Sequence, residues 1–195
     1  MHPFFGRQPF IGARAKNITR TLDYENGGIA IQNPTGGLNL QEWRARLFNA
    51  GEAQSYVLMD AEQVAPFIAW QQPYLEEFSF SFDQNMQPVF AYVENGAAKL
   101  RFFDSVPQAF SIIELEQGAI TPRVSFDDKR DFLGYAQSDV ILAYILNGNL
   151  VKRLGSERYQ NTHLIRANVG NAGLVKIGMN RGLRMQYRVK IDYDY

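Results

Sequence analysis

The side chains that could do catalytic chemistry are few. Adjacent carboxylates occur at Asp127 with Asp128 and at Glu76 with Glu77, and paired carboxyls are the material of general acid and base work when both converge on one bond. Neighbours on a strand or turn point in different directions, however, and nothing else in the sequence converges on either pair. His2 and His163 are the only histidines, and His163 stands beside apolar Leu164 and Ile165, so a histidine metal site is not expected. The absence of cysteine removes disulfides, thiolate zinc sites and cysteine nucleophiles together. There is no G-x-x-x-x-G-K phosphate loop, no G-x-S-x-G elbow, no H-E-x-x-H and no calcium loop. The chain is read as a non-enzyme with no cofactor, no metal and no catalytic residues.

Phosphate contact is a different matter. Arg184, Arg188 and Lys190 alternate with Leu183, Met185, Tyr187, Val189 and Ile191, with Arg181 just before them and Lys176 one strand earlier. Such a face can meet nucleic-acid phosphates without reading sequence, which makes non-specific DNA contact one expectation. A solvated outer face of a terminal strand is the plainer one. A second candidate contact surface lies in residues 1–20, where Phe4, Phe5 and Phe10 stand among Pro3, Gly6, Pro9 and Gly12 without any period. The segment is either a frayed terminus or an extended arm whose phenylalanines dock on another subunit.

The elements that must position these residues are organised around a repeat. Phe82-Asp83 is followed by Ala91-Tyr92-Val93-Glu94-Asn95-Gly96 and a basic run, and Phe126-Asp127 by Ala143-Tyr144-Ile145-Leu146-Asn147-Gly148 and a basic run. Asn-Gly between apolar strands marks a two-residue hairpin, because both central residues of a type I′ turn need positive φ. Two similar hairpin units are therefore expected, at about 78–106 and 123–154, the second longer by eight residues placed within 129–138. The Phe-Asp anchors stand 44 residues apart and the Ala-Tyr-x-x-Asn-Gly anchors 52 apart, and strand pairs at such a period suggest repeated antiparallel sheets of the kind seen in propeller blades. Two copies cannot close a propeller, so the units either form an open sandwich or are completed by neighbouring subunits.

Elsewhere the text is also strand-like. Residues 27–34 form a strand ending at Pro34-Thr35-Gly36-Gly37, and residues 38–48 alternate with a slip that implies a bulge or a strand starting near Glu42. Asn49-Ala50-Gly51-Glu52 is a turn, and residues 55–59 return as the partner strand. Helix formers cluster only at residues 60–65, where Pro66 stops them after a turn or two. Ile68, Trp70, Pro73, Tyr74 and Leu75 read as a connection plugging the core. Residues 76–82 alternate Phe78, Phe80 and Phe82 with Ser79 and Ser81, a half-buried strand. Residues 111–115 read as a short strand and 140–146 as one buried on both faces. Residues 127–131 read as a solvated charged loop, and 163–167, 174–178 and 183–191 as further strands.

At 195 residues with 46% hydrophobic and 13% aromatic composition, the chain is expected to build a single all-β domain over 21–195. No apolar run approaches a membrane span and no secretion-signal layout is visible. Net charge is zero but uneven: residues 1–59 carry +2, 60–139 carry −8 and 140–195 carry +6. Opposite charges either share one mixed surface or mark a head-to-tail assembly, acidic part to basic part.

The phrases Ile31-Gln32-Asn33-Pro34-Thr35-Gly36-Gly37-Leu38-Asn39-Leu40-Gln41-Glu42-Trp43-Arg44-Ala45-Arg46-Leu47-Phe48-Asn49, Phe82-Asp83-Gln84-Asn85, Ser138-Asp139-Val140-Ile141-Leu142-Ala143-Tyr144 and Asn180-Arg181-Gly182-Leu183-Arg184 resemble those of small virion structural proteins of tailed bacteriophages. The resemblance spans residue 25 to the C-terminus. It implies a homo-oligomeric ring in the tail or neck, contacting other tail or neck proteins in the virion after synthesis in the bacterial cytoplasm, and it carries no catalytic residues. A receptor- or carbohydrate-binding β module at the tail tip is the alternative, for which aromatics beside Asp or Asn in a groove would speak.

Overall fold

The computed structural model describes residues 19–24, 27–32, 41–83, 87–127, 139–170, 172–179 and 184–191. They form four antiparallel sheets and one short 3-10 turn, Gly155–Glu157. The first sheet runs β1 (Thr19–Tyr24), β2 (Gly27–Gln32), β3 (Gln41–Ala50), β4 (Gln54–Ala61), β5 (Val64–Gln72). The second runs β6 (Glu77–Phe82), β7 (Pro88–Glu94), β8 (Ala97–Asp104), β9 (Ala109–Glu114). The third runs β10 (Ala119–Asp127), β11 (Asp139–Leu146), β12 (Asn149–Leu154), β13 (His163–Arg166), and the fourth is the hairpin β14 (Ala172–Met179), β15 (Met185–Ile191). Within each sheet every strand pairs with its neighbour in sequence, as tight turns between consecutive strands require, and none of the four sheets closes on itself.

The first strands meet at the centre. β10 packs between β6 and β14, and β1 touches β6, β10 and β14. Each sheet thus starts at a shared axis and steps outward, and contact between β1 and β14 brings the first sheet against the last. This is the propeller-like arrangement, with four sheets where the sequence repeat displays two.

Three apolar layers separate the sheets. Ala45, Val57, Met59 and Trp70 of the first meet Phe78, Phe80, Phe82, Phe90 and Tyr92 of the second. Val89, Ala91, Leu100 and Phe102 on its other face meet Val124, Phe126, Leu142 and Tyr144 of the third. Ala143, Ile145 and Leu150 then meet Leu174 and Ile177 of the fourth, flanked by Tyr187 and Val189. Burial on both faces is why β11 is apolar almost throughout.

The same layering corrects the reading of residues 76–82. β6 is buried on both faces, Ser79 and Ser81 included. A serine is small enough to let β10 approach, and the Val124 amide donates to Ser79 Oγ at 3.0 Å. The helical turn expected at 60–65 is also absent: β4 runs to Ala61 and β5 starts at Val64. Pro66 belongs to β5, the outer strand of its sheet, in a register irregularity where no ladder hydrogen bond is forfeited. Ile68 and Trp70 are likewise strand residues, and the connection shrinks to residues 73–76, with Leu75 buried. Asp127 ends β10 and is buried, not part of a solvated loop. Thr19 and Arg20 open β1; the remainder of the expected arm, the turn at 34–37 and the eight extra residues within 129–138 lie outside the described residues.

Both expected hairpins are present. Asn95 (φ 52°) with Gly96 (φ 72°) joins β7 to β8, and Asn147 (φ 49°) with Gly148 (φ 73°) joins β11 to β12. Added Cβ atoms at the two glycines meet no close neighbour, so the penalty of Gly96→Ala or Gly148→Ala is conformational alone. Each is expected to cost about 1 kcal/mol, read as a lower urea midpoint at unchanged slope.

Candidate functional site

The sequence-nominated residues divide. Phe4, Phe5, Phe10 and Arg181 lie outside the described residues. Arg184, Arg188 and Lys190 do share one exposed face with Gln186, opposite Met185, Tyr187 and Val189, which pack on the third sheet. Burial, then Asp127, pushes the Tyr187 hydroxyl up to about 12. The carboxylate pairs do not converge on a bond: Glu76 accepts from the Gly96 amide at 2.7 Å, while Glu77 pairs with the buried Arg123 guanidinium of β10 at 2.7 Å. His163 faces Glu157 at 2.7 Å. Among the described residues, no group of three or more His, Asp or Glu is placed to hold a metal ion.

The sheets end outward in strands β5, β9, β13 and β15. Three of these carry exposed apolar side chains: Phe67 and Ile68 on β5, Phe110 and Ile112 on β9, Leu164 on β13. The Arg101 guanidinium lies over Phe110 at 4.0 Å and Trp70 at 5.1 Å, so the margin between the first two sheets is an aromatic surface with one cation set into it. Edges with unblocked ladder groups and apolar side chains are the usual places where one chain adds to another.

A cleft of about 500 Å³ opens between the second and third sheets at the end where β6 stops. Three carboxylates border it: Asp83 just after β6, Asp104 ending β8 and Asp139 opening β11. Asp83 accepts from the Gln87 amide at 2.9 Å. Asp139 accepts from the Ser156 amide at 2.9 Å and from its hydroxyl. The Val106 amide and the Arg158 guanidinium both donate to Asp104 and hold its carboxyl below the usual range.

The inner wall is Tyr159, whose side chain is placed by a tight turn. Arg158 (φ 51°) and Tyr159 (φ 57°) are both left-handed, a conformation that residues with a Cβ adopt at a cost and keep only where their surroundings enforce it. Here the enforcement is visible: Arg158 N–H bonds Gly155 O, Tyr159 N–H bonds Leu154 O, and Arg153 donates to Tyr159 O at 2.9 Å. A Cβ on Gly155 would stand 2.9 Å from Asp139 Oδ1 and 3.1 Å from the Tyr159 hydroxyl, so glycine is what lets the turn close on the cleft. The Tyr159 ring packs edge-on to Phe102 at 4.9 Å. Only 3% of the residue is exposed, and its hydroxyl makes no hydrogen bond to any described residue. Burial raises its pKa well above the ordinary tyrosine value, with Asp139 and Asp83 adding to the effect.

Sequence reasoning missed this cleft. Its one local signal is the Phe-Asp dipeptide of the repeat, whose first aspartate, Asp83, borders it. No protein-family model matches the chain, and neither a curated protein nor a solved structure does. Among the described residues no helix is long and apolar enough to cross a membrane.

Proposed function

We propose that the chain is a structural subunit of a tailed-phage virion, a tail protein that assembles into a homo-oligomeric ring and contacts neighbouring tail or neck proteins. Its role is mechanical, with no catalysis and no cofactor. The observation that carries this reading is that β5, β9 and β13 pair with no further strand among the described residues and expose Phe67, Ile68, Phe110, Ile112 and Leu164. Pro66 lies on β5 and Arg188 and Lys190 on β15, but the exposed apolar side chains of β5, β9 and β13 remain, and a subunit buries such side chains against its neighbour. The acidic middle and basic C-terminal part of the sequence and the exposed basic face around β15 fit head-to-tail contact. The resemblance of the phrases quoted above to those of phage virion proteins supplies the setting. A carbohydrate-binding role is less well supported, because the cleft's Phe102 and Tyr159 rings are buried and leave little face for a sugar to stack on.

Light scattering coupled to size-exclusion chromatography tests the reading. The purified chain is expected to elute as a discrete multimer, and Ile112→Arg together with Leu164→Arg should weaken the association by at least about tenfold while circular dichroism stays unchanged. A chain that remains monomeric at every concentration reached, alone and mixed with tail lysate, would remove the ring.

A further inference from the structure

We infer that the Arg101 guanidinium and the rings around it receive Asp192 and Asp194 of a second copy of this chain, so that the segment following β15 docks on its neighbour's second sheet. For its partner the inference rests on the assembly proposed above. Arg101 is the deciding group. It is half-buried on β8, and among the described residues no carboxylate, carbonyl or hydroxyl bonds its guanidinium, which stands instead over the rings of Phe110 at 4.0 Å, Trp70 at 5.1 Å and Phe90 at 5.9 Å. Rings attract a cation but leave its N–H donors unsatisfied. By contrast Lys99, Arg123 and Arg153 each hold a carboxylate, at 2.7, 2.7 and 2.8 Å. Burial lowers the Arg101 pKa below the ordinary arginine value, with Tyr92 acting in the opposite direction, yet the group keeps its charge. A guanidinium withdrawn from water without a counter-charge is costly until an anion meets it.

The surface around it selects the ligand. Ile112 is the register partner of Arg101, and Phe110 that of Phe103; paired residues share one face of a sheet. Phe110 and Ile112 are exposed there, so the ligand brings aromatic or apolar groups beside its carboxylate. Asp192-Tyr193-Asp194-Tyr195, outside the described residues, alternates the two. Asp23-Tyr24-Glu25 is spelled similarly, but its first two residues belong to β1 at the centre. An aspartate offers the guanidinium a bidentate partner, and a tyrosine ring beside it covers Phe110 and Ile112. A second copy must supply the segment. β15 belongs to the fourth sheet, which packs on the first and third, and the second lies one layer further. Stacked sheets stand about 10 Å apart, which puts the second about 20 Å away. Asp194, past the end of β15 at Ile191, reaches only about 11 Å. The exchange sets a carboxylate of the basic C-terminal part on a cation of the acidic middle, a pair that fixes the register of a head-to-tail contact.

The full-length protein, kept dilute, is titrated with the amidated peptide acetyl-Ile-Asp-Tyr-Asp-Tyr and separately with sodium glucuronate, following the Trp70 indole N–H signal by NMR. Saturable shifts with the peptide and none with glucuronate are expected, and Arg101→Gln should bind the peptide about tenfold more weakly. Assembly is then followed by light scattering. Arg101→Glu should weaken it about tenfold, and so should Asp192→Lys combined with Asp194→Lys, which changes no described residue and serves should the first variant fold poorly. Mixing the two variants should restore association, because each then meets opposite charge. Absence of saturation, equal shifts with glucuronate, undiminished peptide affinity in Arg101→Gln, or an assembly indifferent to these charge changes would overturn the inference. So would a shift of the Trp70 signal when Asp192→Asn and Asp194→Asn are introduced into the dilute chain, since the segment would then lie on its own copy. A chain that binds the peptide but never assembles removes the ring and keeps the Arg101 receptor; one that assembles without Arg101 does the reverse.

Discussion

Phe90→Ala is expected to cost about 4 kcal/mol of folding stability, the largest effect of any single truncation considered for this chain. Phe90 sits on β7 at 1% exposure, where the first and second sheets meet. Its ring stacks on Trp70 at 5.4 Å and lies 5.6 Å from Phe78 and 6.1 Å from Phe80, with Arg101 on the adjacent strand reaching over it at 5.9 Å. Removing it forfeits the transfer free energy of a buried phenyl group and leaves a hole that its neighbours, themselves buried rings, fill poorly. Each aromatic pair adds about 1 kcal/mol beyond burial, so Phe90→Ala combined with Trp70→Ala should cost less than the sum of the two. The measurement is the urea midpoint of the single and double variants. A loss under about 1 kcal/mol would mean that the first sheet does not depend on this layer.

How much of this was legible depends on how local the cause is. The Asn95-Gly96 and Asn147-Gly148 turns need nothing beyond two residues that tolerate positive φ, and both stand where the sequence puts them. The double burial of β11 is equally direct, because a strand covered on both faces has no polar position to spare. What failed did so through context. Ser79 and Ser81 look like a solvent face by alternation, yet their small size is what admits β10 against β6. Residues 60–65 have helix-forming composition, but Ala61 and Val64 pair across a tight turn and Pro66 finds an outer strand that tolerates it. The fourth sheet has no Asn-Gly, and the first has it only at Asn26-Gly27, without the Ala-Tyr-x-x lead of the repeat, so four sheets showed themselves as two.

The candidate site was less legible for a related reason. Asp83, Asp104, Asp139 and Tyr159 lie in four separate segments, joined only when the third sheet packs on the second. The repeat pointed at one of them and gave no chemistry, since its two aspartates have different fates: Asp83 borders the cleft, while Asp127 is buried and acts on Tyr187 of β15. The basic face of residues 184–190 was legible because strict alternation in a strand covered on one side has a single physical outcome.

Acid should expose the second largest effect, centred on Glu116. This residue lies between β9 and β10 and accepts from Tyr144 at 2.7 Å, Thr162 at 2.7 Å and Arg153 at 2.8 Å, tying the link between two sheets to β11, β12 and the approach to β13. Arg153 also reaches Tyr144 and the Tyr159 carbonyl, so the network supports the turn that forms the cleft wall. Burial pushes the Glu116 carboxyl up, but the donors from Arg153, Thr162, its own backbone and Tyr144 outweigh it and hold the pKa at about 2. A folded value below the unfolded one makes the unfolded chain the better proton binder, so this contribution is complete above about pH 5 and drains away as the pH falls towards 2. The side chain is 34% exposed, and after solvent screening the amount at stake is about 2 kcal/mol. Glu116→Gln is therefore expected to be less stable than the parent by about that amount at pH 7 and to converge on it near pH 2. Other carboxylates titrate in both proteins, so the informative quantity is the difference between their urea midpoints at pH 7, 4.5 and 2. Midpoints that stay parallel across that range would show that the Glu116 bonds contribute nothing to the fold that water does not replace.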